Sequence, residues 1–130
     1  MSYDPIILNR NFSIQYHAEC FEKMCHIIGN YAYKYIFSFV DLCAKVKHNA
    51  QGIIDLEIGT GDMIKLAGEL AGIANAYSLP LFACSEPVDL TQWGIPPAAC
   101  IDPQMVENII GTPINARKDA NQRSYCGCTL

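Results

Sequence analysis

Thiols and carboxylates are the side chains of this sequence with the clearest chemical potential. Cysteines occur at positions 20, 25, 43, 84, 100, 126 and 128. The last two form a C-x-C pair, which can be half of a metal site or a redox pair. The odd count and irregular spacing do not predict a disulfide framework. Cys20, Cys25 and Cys43 lie within apolar patterns, where cysteine behaves as a small hydrophobic residue.

Three carboxylates stand where short apolar runs end: Asp4 in YDP, Asp41 in FSFVD and Glu86 in ACSEP. In parallel α/β proteins the loops after the strands converge on one edge of the sheet, where ligands bind. We therefore expect Asp4, Asp41, Glu86 and Cys84 to be able to line one pocket, as catalytic acid/base groups, substrate acceptors or metal ligands. The alternative is that each carboxylate caps a neighbouring helix or loop.

The elements that would position these residues alternate between helix and strand. Apolar residues at three- and four-residue steps predict helices over 13–28, from Thr60 to about Tyr77, and from Asp102 to Gly111. Ser13, Thr60 and Asp102 are their expected N-caps. Aromatic and branched runs predict strands over 35–40 and 79–84, and the start of the chain resembles the end of a third strand. The connection before Thr60 is polar, and the Pro-rich stretch 87–100 predicts an ordered loop.

This alternation predicts an α/β protein with a partial (β/α) barrel-like sheet of about three parallel strands and three covering helices. The chain has 130 residues, well short of the roughly 250 of a full (β/α)8 barrel. We expect a single partial barrel-like domain over 1–130 with a cysteine-containing tail at about 112–130. Open strand edges would favour a homo-oligomer or pairing with a missing half of the barrel.

Composition excludes several classes of function. The net charge is -4 with dispersed Lys and Arg, which argues against a nucleic-acid surface built on charge. The sequence has neither a membrane-length apolar run nor a signal peptide, so a cytoplasmic protein is expected. It also lacks a glycine-rich phosphate loop and any H-x-x-x-H or H-E-x-x-H pair.

Six segments of the sequence, taken in order, resemble the domain of unknown function 1848 family. They are YDPIILN, IQYHAECFEKM, YIFSFVD, ANAYSLPLFACSE, VDLTQWGIPPAACID and RKDANQRSYCGC. The most specific are the C-x-E of Cys84 and Glu86 and the tail from Asp119 to Cys128. That family resembles radical S-adenosylmethionine enzymes with a barrel-like body first and a cysteine cluster after it. After the C-G-C, family members continue into a C-x3-C-x2-C motif like a 4Fe-4S ligand set. This sequence lacks that motif and the family's early strands.

The resemblance implies a fragment of a radical S-adenosylmethionine-like iron–sulfur protein that is inactive alone. A 4Fe-4S cluster and S-adenosylmethionine are implied for the full-length family, and whether this chain is an enzyme stays open. Cys126 and Cys128 would be the first candidates for metal ligands, followed by Cys84 and Cys100. The resemblance also places a basic trio near the cofactor, although a solvated basic tail is the equal alternative: Arg117, Lys118 and Arg123.

Two other functions are consistent with the residues. The chain could be a non-catalytic α/β half-barrel that pairs with a second copy or with its missing half. It could also be a small metal-binding module that uses Cys84, Cys100, Cys126 and Cys128. Metal sites usually draw ligands from close pairs, and Cys126 and Cys128 form the one close pair among these four.

Overall fold

The computed structural model describes residues 1–42, 44–50, 58–115, 118, 120, 122 and 125–128. Strands and helices alternate along these residues. The elements are β1 (Ser2–Ile6), α1 (Ile14–Ile28), β2 (Tyr35–Phe39), α2 (Ala44–Asn49), α3 (Thr60–Ala76), β3 (Leu81–Ala83) and α4 (Pro103–Ile110). Among the described parts of the chain, no helix is both long and apolar enough to cross a membrane.

The three strands form one parallel sheet in the order β1-β2-β3. All five residues of the central strand β2 are buried, as expected for a parallel strand that is covered on both faces. Within the described residues the sheet does not close. The predicted α/β class and the three parallel strands are therefore confirmed.

The core lies between the sheet and helices α1 and α3. Alternate residues Tyr35, Phe37 and Phe39 of β2 point into it, because successive side chains of a strand face opposite sides. From α1, Phe21 is fully buried and meets the rings of Tyr3 and Tyr35 edge-on, with centroids 5.7 and 5.5 Å away. Helix α3 contributes its apolar face at Leu66, Ala67, Leu70 and Ala74.

Helix α1 begins as the sequence predicts. The Ser13 side chain accepts a hydrogen bond from the amide of Tyr16 and so caps the helix. His17 is buried in the first turns, where Tyr3 Oη donates to its Nδ1 (2.8 Å) and its Nε2 donates to the carbonyl of Ile7 (2.9 Å). His17 thus ties β1 and the following loop to α1 and has a structural role.

Three details differ from the sequence-based prediction. Helix α2 was not predicted, because its six residues AKVKHN are too few and too polar to show an apolar period. Helix α3 has Gly59 as its N-cap with no side-chain cap, so Thr60 is its first residue and not its cap. Strand β3 begins two residues later than predicted, after a residue, Pro80, that has no amide hydrogen for the sheet.

Helix α4 is held at its start by Asp102. The Asp102 side chain accepts hydrogen bonds from the amides of Gln104 and Met105, and its Oδ2 lies 3.0 Å from Lys34 Nζ just before β2. Pro103 follows as the first helical residue and Gly111 ends the helix with φ 74°, as predicted.

Replacing Asp102 by alanine is expected to lower the free energy of unfolding by about 1–2 kcal/mol, because a helix cap is lost. The hydrogen bond from Lys34 lowers the pKa of Asp102 below its ordinary 3.8. A carboxyl with a lowered pKa stabilises the fold above its ordinary pKa, and this contribution is lost as the pH falls through the lowered value. Urea unfolding at pH 7 and at pH 3 measures the effect. The variant Lys34→Met keeps the cap, and an equal loss from it would contradict the role of capping.

Candidate functional site at the carboxyl edge of the sheet

The turn after β3 connects the ends of two strands. The amide of Cys84 donates to the carbonyl of Phe37 in β2 (2.8 Å). Ser85 then has a positive φ of 59°, which is uncommon for a residue with a side chain. The turn places Glu86 beside the end of β2, and Glu86 Oε1 accepts a hydrogen bond from the amide of Phe39 (2.8 Å). Glu86 therefore lies at the carboxyl edge, as the sequence predicts.

Four cysteines from three segments of the chain meet beside this turn. We call Cys84, Cys100, Cys126 and Cys128 the thiol cluster. The Sγ atoms of Cys84 and Cys100 are 3.3 Å apart, and all four cysteines carry free thiols. The structure thus brings together the cysteines that the sequence singled out, although they span 84–128.

Cys128 is the anchor of the cysteine tail. Its Sγ accepts hydrogen bonds from the amides of Cys100 (3.1 Å) and Ile101 (3.3 Å), and the residue is only 8% exposed. Burial by itself would raise the pKa of the Cys128 thiol, but the amide of Ile101, the thiol of Cys126 and the amide of Cys100 stabilise the thiolate, and the pKa is lowered. The hydrogen bonds that the Cys128 sulfur accepts therefore stabilise its thiolate form.

Cys84 has the opposite character. Burial raises the pKa of its thiol to about 12, and the neighbouring thiol of Cys100 and the charges of Cys100, Cys126 and Cys128 add to the effect. The pKa values of two members of one cluster are thus shifted in opposite directions, because burial dominates at Cys84 and hydrogen bonds to the sulfur dominate at Cys128.

The glycine between Cys126 and Cys128 is required by packing. A Cβ atom on Gly127 would lie 2.8 Å from the carbonyl oxygen of Ala98. Ala98 is itself fixed, since its amide donates to the carbonyl of Ala83 at the end of β3 (2.7 Å). The C-G-C spacing therefore lets the tail lie directly against the backbone that extends the sheet.

The basic tail residues are partly within the described chain. Lys118 Nζ donates to the backbone carbonyl of Cys126 (2.6 Å), so one cation is held beside the thiol cluster. Arg117 and Arg123 lie outside the described residues, as does Cys43. A cofactor-binding role for the trio stays a prediction.

A cleft of about 390 Å³ opens next to the turn. Its walls come from Ala83, from the stretch between Glu86 and Pro97, and from Tyr125 of the tail. Glu86 and Asp89 give it two carboxylates, whereas no Lys or Arg lines it among the described residues. We call this the acidic cleft. A larger cavity of about 530 Å³ beside α3 is lined by no strand-end residue among those described.

Asp89 is a cleft residue that the sequence did not single out. Its Oδ1 accepts hydrogen bonds from the hydroxyl (2.6 Å) and the amide (2.9 Å) of Thr91. These bonds lower the pKa of Asp89, the hydroxyl contributing most. The order Asp-Leu-Thr is a signal for such a turn, but its place in a cleft depends on the path of the whole loop.

The other two predicted carboxylates do not line the acidic cleft. Asp4 is the middle residue of β1, is exposed, and accepts a hydrogen bond from the Ser2 hydroxyl. Asp41 is exposed two residues after β2 ends. Neither is among the described residues that line the acidic cleft. A site that all three carboxylates share stays a prediction.

Four thiols are the donors that zinc and iron–sulfur clusters prefer. In the described parts of the chain, however, no three side chains of His, Cys, Asp or Glu are placed so that they could hold a metal ion. The thiol cluster therefore has the chemistry of a metal site without the arrangement of one. A metal at Cys126 and Cys128, or at all four cysteines, stays a prediction.

The fold and the site define an open parallel α/β protein with a thiol cluster at the carboxyl edge of its sheet. The chain belongs to the family described as Domain of unknown function (DUF1848), whose model matches residues 1–130. No curated protein and no solved structure matches the chain. The family predicted from the sequence is thus confirmed, and its radical S-adenosylmethionine-like character stays a prediction.

Proposed function

We propose that this chain is part of a radical S-adenosylmethionine-like iron–sulfur protein and that its acidic cleft binds S-adenosylmethionine. The observation that carries the proposal is the cleft itself, which lies at the carboxyl edge and has carboxylates on its wall. In open parallel sheets this edge is where ligands bind. The family to which the whole chain belongs, with the resemblance described above, supports the choice of ligand.

The charge of the cleft suits this ligand. S-adenosylmethionine has a sulfonium, an ammonium and a carboxylate group, and so a net positive charge at neutral pH. Glu86 and Asp89 place two carboxylates on the cleft wall. Opposite charges steer a ligand and add to its affinity.

The size and the apolar walls of the cleft also suit it. A volume of about 390 Å³ lies within the range of small-molecule sites, roughly 300–1,000 Å³. Val88, Leu90 and Ile95 offer apolar surface, and Tyr125 offers an aromatic ring on which an adenine base can stack.

The described residues do not form a binding site for an iron–sulfur cluster, because no three His, Cys, Asp or Glu side chains among them are placed so that they could hold a metal ion. We therefore assign the thiol cluster a place beside the ligand site without a ligating role. Binding of S-adenosylmethionine to the acidic cleft does not depend on a metal in this chain.

Titration of the ¹⁵N-labelled chain with S-adenosylmethionine tests the proposal. We expect the amide signals of Ser85, Glu86 and Thr91 to shift. S-adenosylhomocysteine is the matched ligand, because it lacks only the methyl group and with it the sulfonium charge. We expect it to bind about fivefold more weakly, as the loss of about 1 kcal/mol of charge–charge interaction implies.

The variant Glu86→Gln should also lower the affinity for S-adenosylmethionine by about fivefold, since it removes one charge from the cleft. The glutamine keeps an oxygen that can accept the hydrogen bond from the amide of Phe39. Glu19→Gln on the exposed face of α1 is the control and should leave the affinity unchanged. No signal shift with either ligand, or equal affinities for both ligands, would contradict the proposal.

A further inference from the structure

We propose that Cys84 and Cys100 are a redox-active dithiol that closes to an intrachain disulfide by exchange with a low-molecular-weight disulfide. This activity goes beyond ligand binding in the acidic cleft and does not rest on it. Neither the family description nor the pattern of the sequence pairs these two residues, which are 16 positions apart.

The two sulfurs are already in contact. Their Sγ–Sγ distance is 3.3 Å, whereas a disulfide bond is about 2.0 Å long, so closure needs an approach of about 1.3 Å. The backbone on both sides is held: the amide of Cys84 donates to Phe37 of β2, and the amide of Cys100 donates to Cys128 Sγ. Because the backbone is held on both sides, we expect the closure to come from side-chain rotation.

Exposure decides the order of the reaction. Cys100 is exposed and Cys84 is half-buried, so an incoming disulfide RSSR meets Cys100 first. The Cys100 sulfur, after giving up its proton, attacks one sulfur of RSSR, which forms a mixed disulfide and releases RS⁻. The Cys84 sulfur then gives up its proton and attacks the Cys100 sulfur, which forms the Cys84–Cys100 bond and releases the second RS⁻. The two protons convert both RS⁻ groups to RSH, so two thiols are oxidised and one RSSR is reduced.

Cys128 is not the partner of Cys100 in this reaction. Its sulfur accepts hydrogen bonds from the amides of Cys100 and Ile101 and is buried, with 8% of the residue exposed. A bulky disulfide cannot reach it while the tail is in place. Cys128 instead fixes the backbone of Cys100, and so positions the exposed thiol against Cys84.

The arrangement of trypsin sites makes the pairing directly measurable. The sequence has no Lys or Arg between Lys65 and Arg117, so Cys84 and Cys100 fall in one tryptic peptide, 66–117, whereas Cys126 and Cys128 fall in another, 124–130. After incubation with oxidised glutathione the chain is denatured, so that buried thiols are also accessible, and the free thiols are alkylated with iodoacetamide. The tryptic digest is then analysed by mass spectrometry. We expect to detect peptide 66–117 without alkylation and with a mass two hydrogen atoms below that of its reduced form. Peptide 124–130 should be alkylated at both of its cysteines.

Three variants define the mechanism. Cys84→Ser should keep glutathione on Cys100 as a stable mixed disulfide, and Cys100→Ser should leave Cys84 free for alkylation after denaturation. In both variants peptide 66–117 keeps one cysteine, so its internal disulfide form should be absent. Cys20→Ser on α1 is the matched control and should react like the unmodified chain. Circular dichroism confirms that each variant is folded.

Several results would overturn the proposal. A cross-link between peptides 66–117 and 124–130 would mean that Cys100 pairs with the tail. A glutathione adduct that persists on Cys100 of the unmodified chain would mean that Cys84 does not resolve it. Full alkylation of peptide 66–117 would mean that neither thiol reacts. None of these results bears on S-adenosylmethionine binding, so the two proposals fail separately.

Discussion

Replacing Gly127 by alanine is expected to release the cysteine tail from the edge of the sheet. The added Cβ would meet the carbonyl oxygen of Ala98 at 2.8 Å, and that oxygen belongs to backbone fixed by the end of β3. Overpacking of this kind costs about 1–3 kcal/mol. The tail must move, and Cys128 then loses the amides of Cys100 and Ile101.

Thiol labelling measures this release. In the folded chain, alkylation of Cys128 requires the tail to open, so its rate reports the free energy of opening. We expect Gly127→Ala to raise the rate of double alkylation of peptide 124–130 by about tenfold, which corresponds to about 1.4 kcal/mol. Gly72→Ala is the matched control, because a Cβ there meets nothing within 4 Å and Gly72 lies inside α3. It should stabilise the chain by about 0.5–1 kcal/mol. Unchanged labelling in Gly127→Ala would show that the tail adapts to the side chain.

Replacing Phe21 by alanine is expected to cause the largest loss of stability, about 3–5 kcal/mol. Phe21 is fully buried at the centre of the core, where it contacts Tyr3 of β1 and Tyr35 of β2. Its removal leaves a cavity between α1 and the sheet that these rigid rings cannot fill. Because domains of this size are stable by only about 5–15 kcal/mol, the variant should unfold at a much lower urea concentration.

Ile27→Ala on the same helix is the control for Phe21→Ala. Ile27 is 70% exposed, so its replacement should change the free energy of unfolding by no more than about 0.5 kcal/mol. Urea titration followed by circular dichroism compares both variants with the unmodified chain. Similar midpoints for the two variants would show that α1 does not pack on the sheet through Phe21.

Much of the fold could be predicted because its signals are local. The apolar period of α1, the buried run of β2, and the Asp102-Pro103 start and Gly111 end of α4 each depend on residues a few positions apart. Helix α2 escaped prediction because its six residues have no apolar face to repeat. Short elements of this kind depend on their tertiary surroundings more than on propensity.

The candidate site was predictable in part for the same reason. Glu86 could be placed because it follows a predicted strand, and the rule that strand ends gather at one edge is general. The sequence grouped Cys84 with Cys100 only as possible ligands of one metal. It could not predict their direct contact, because that contact depends on the pairing of Ala83 with residues 96–98. The Pro-rich loop 87–100 has no repeating apolar pattern from which its course beside β3 could be predicted.

The hydrogen bonds of Cys128 also bear on how the length of the chain can vary. They join residues 28 and 27 positions apart, and so close a loop that contains α4 and the stretch before Tyr125. The entropy lost on closing a flexible loop grows only with the logarithm of its length, about 0.6 kcal/mol per doubling. Insertions between α4 and Tyr125 should therefore lower the free energy of unfolding only slightly. A change in the spacing of the C-G-C would instead move Cys128 Sγ away from the amides of Cys100 and Ile101. Natural variation in this protein should accordingly lengthen or shorten the connection and keep its end fixed.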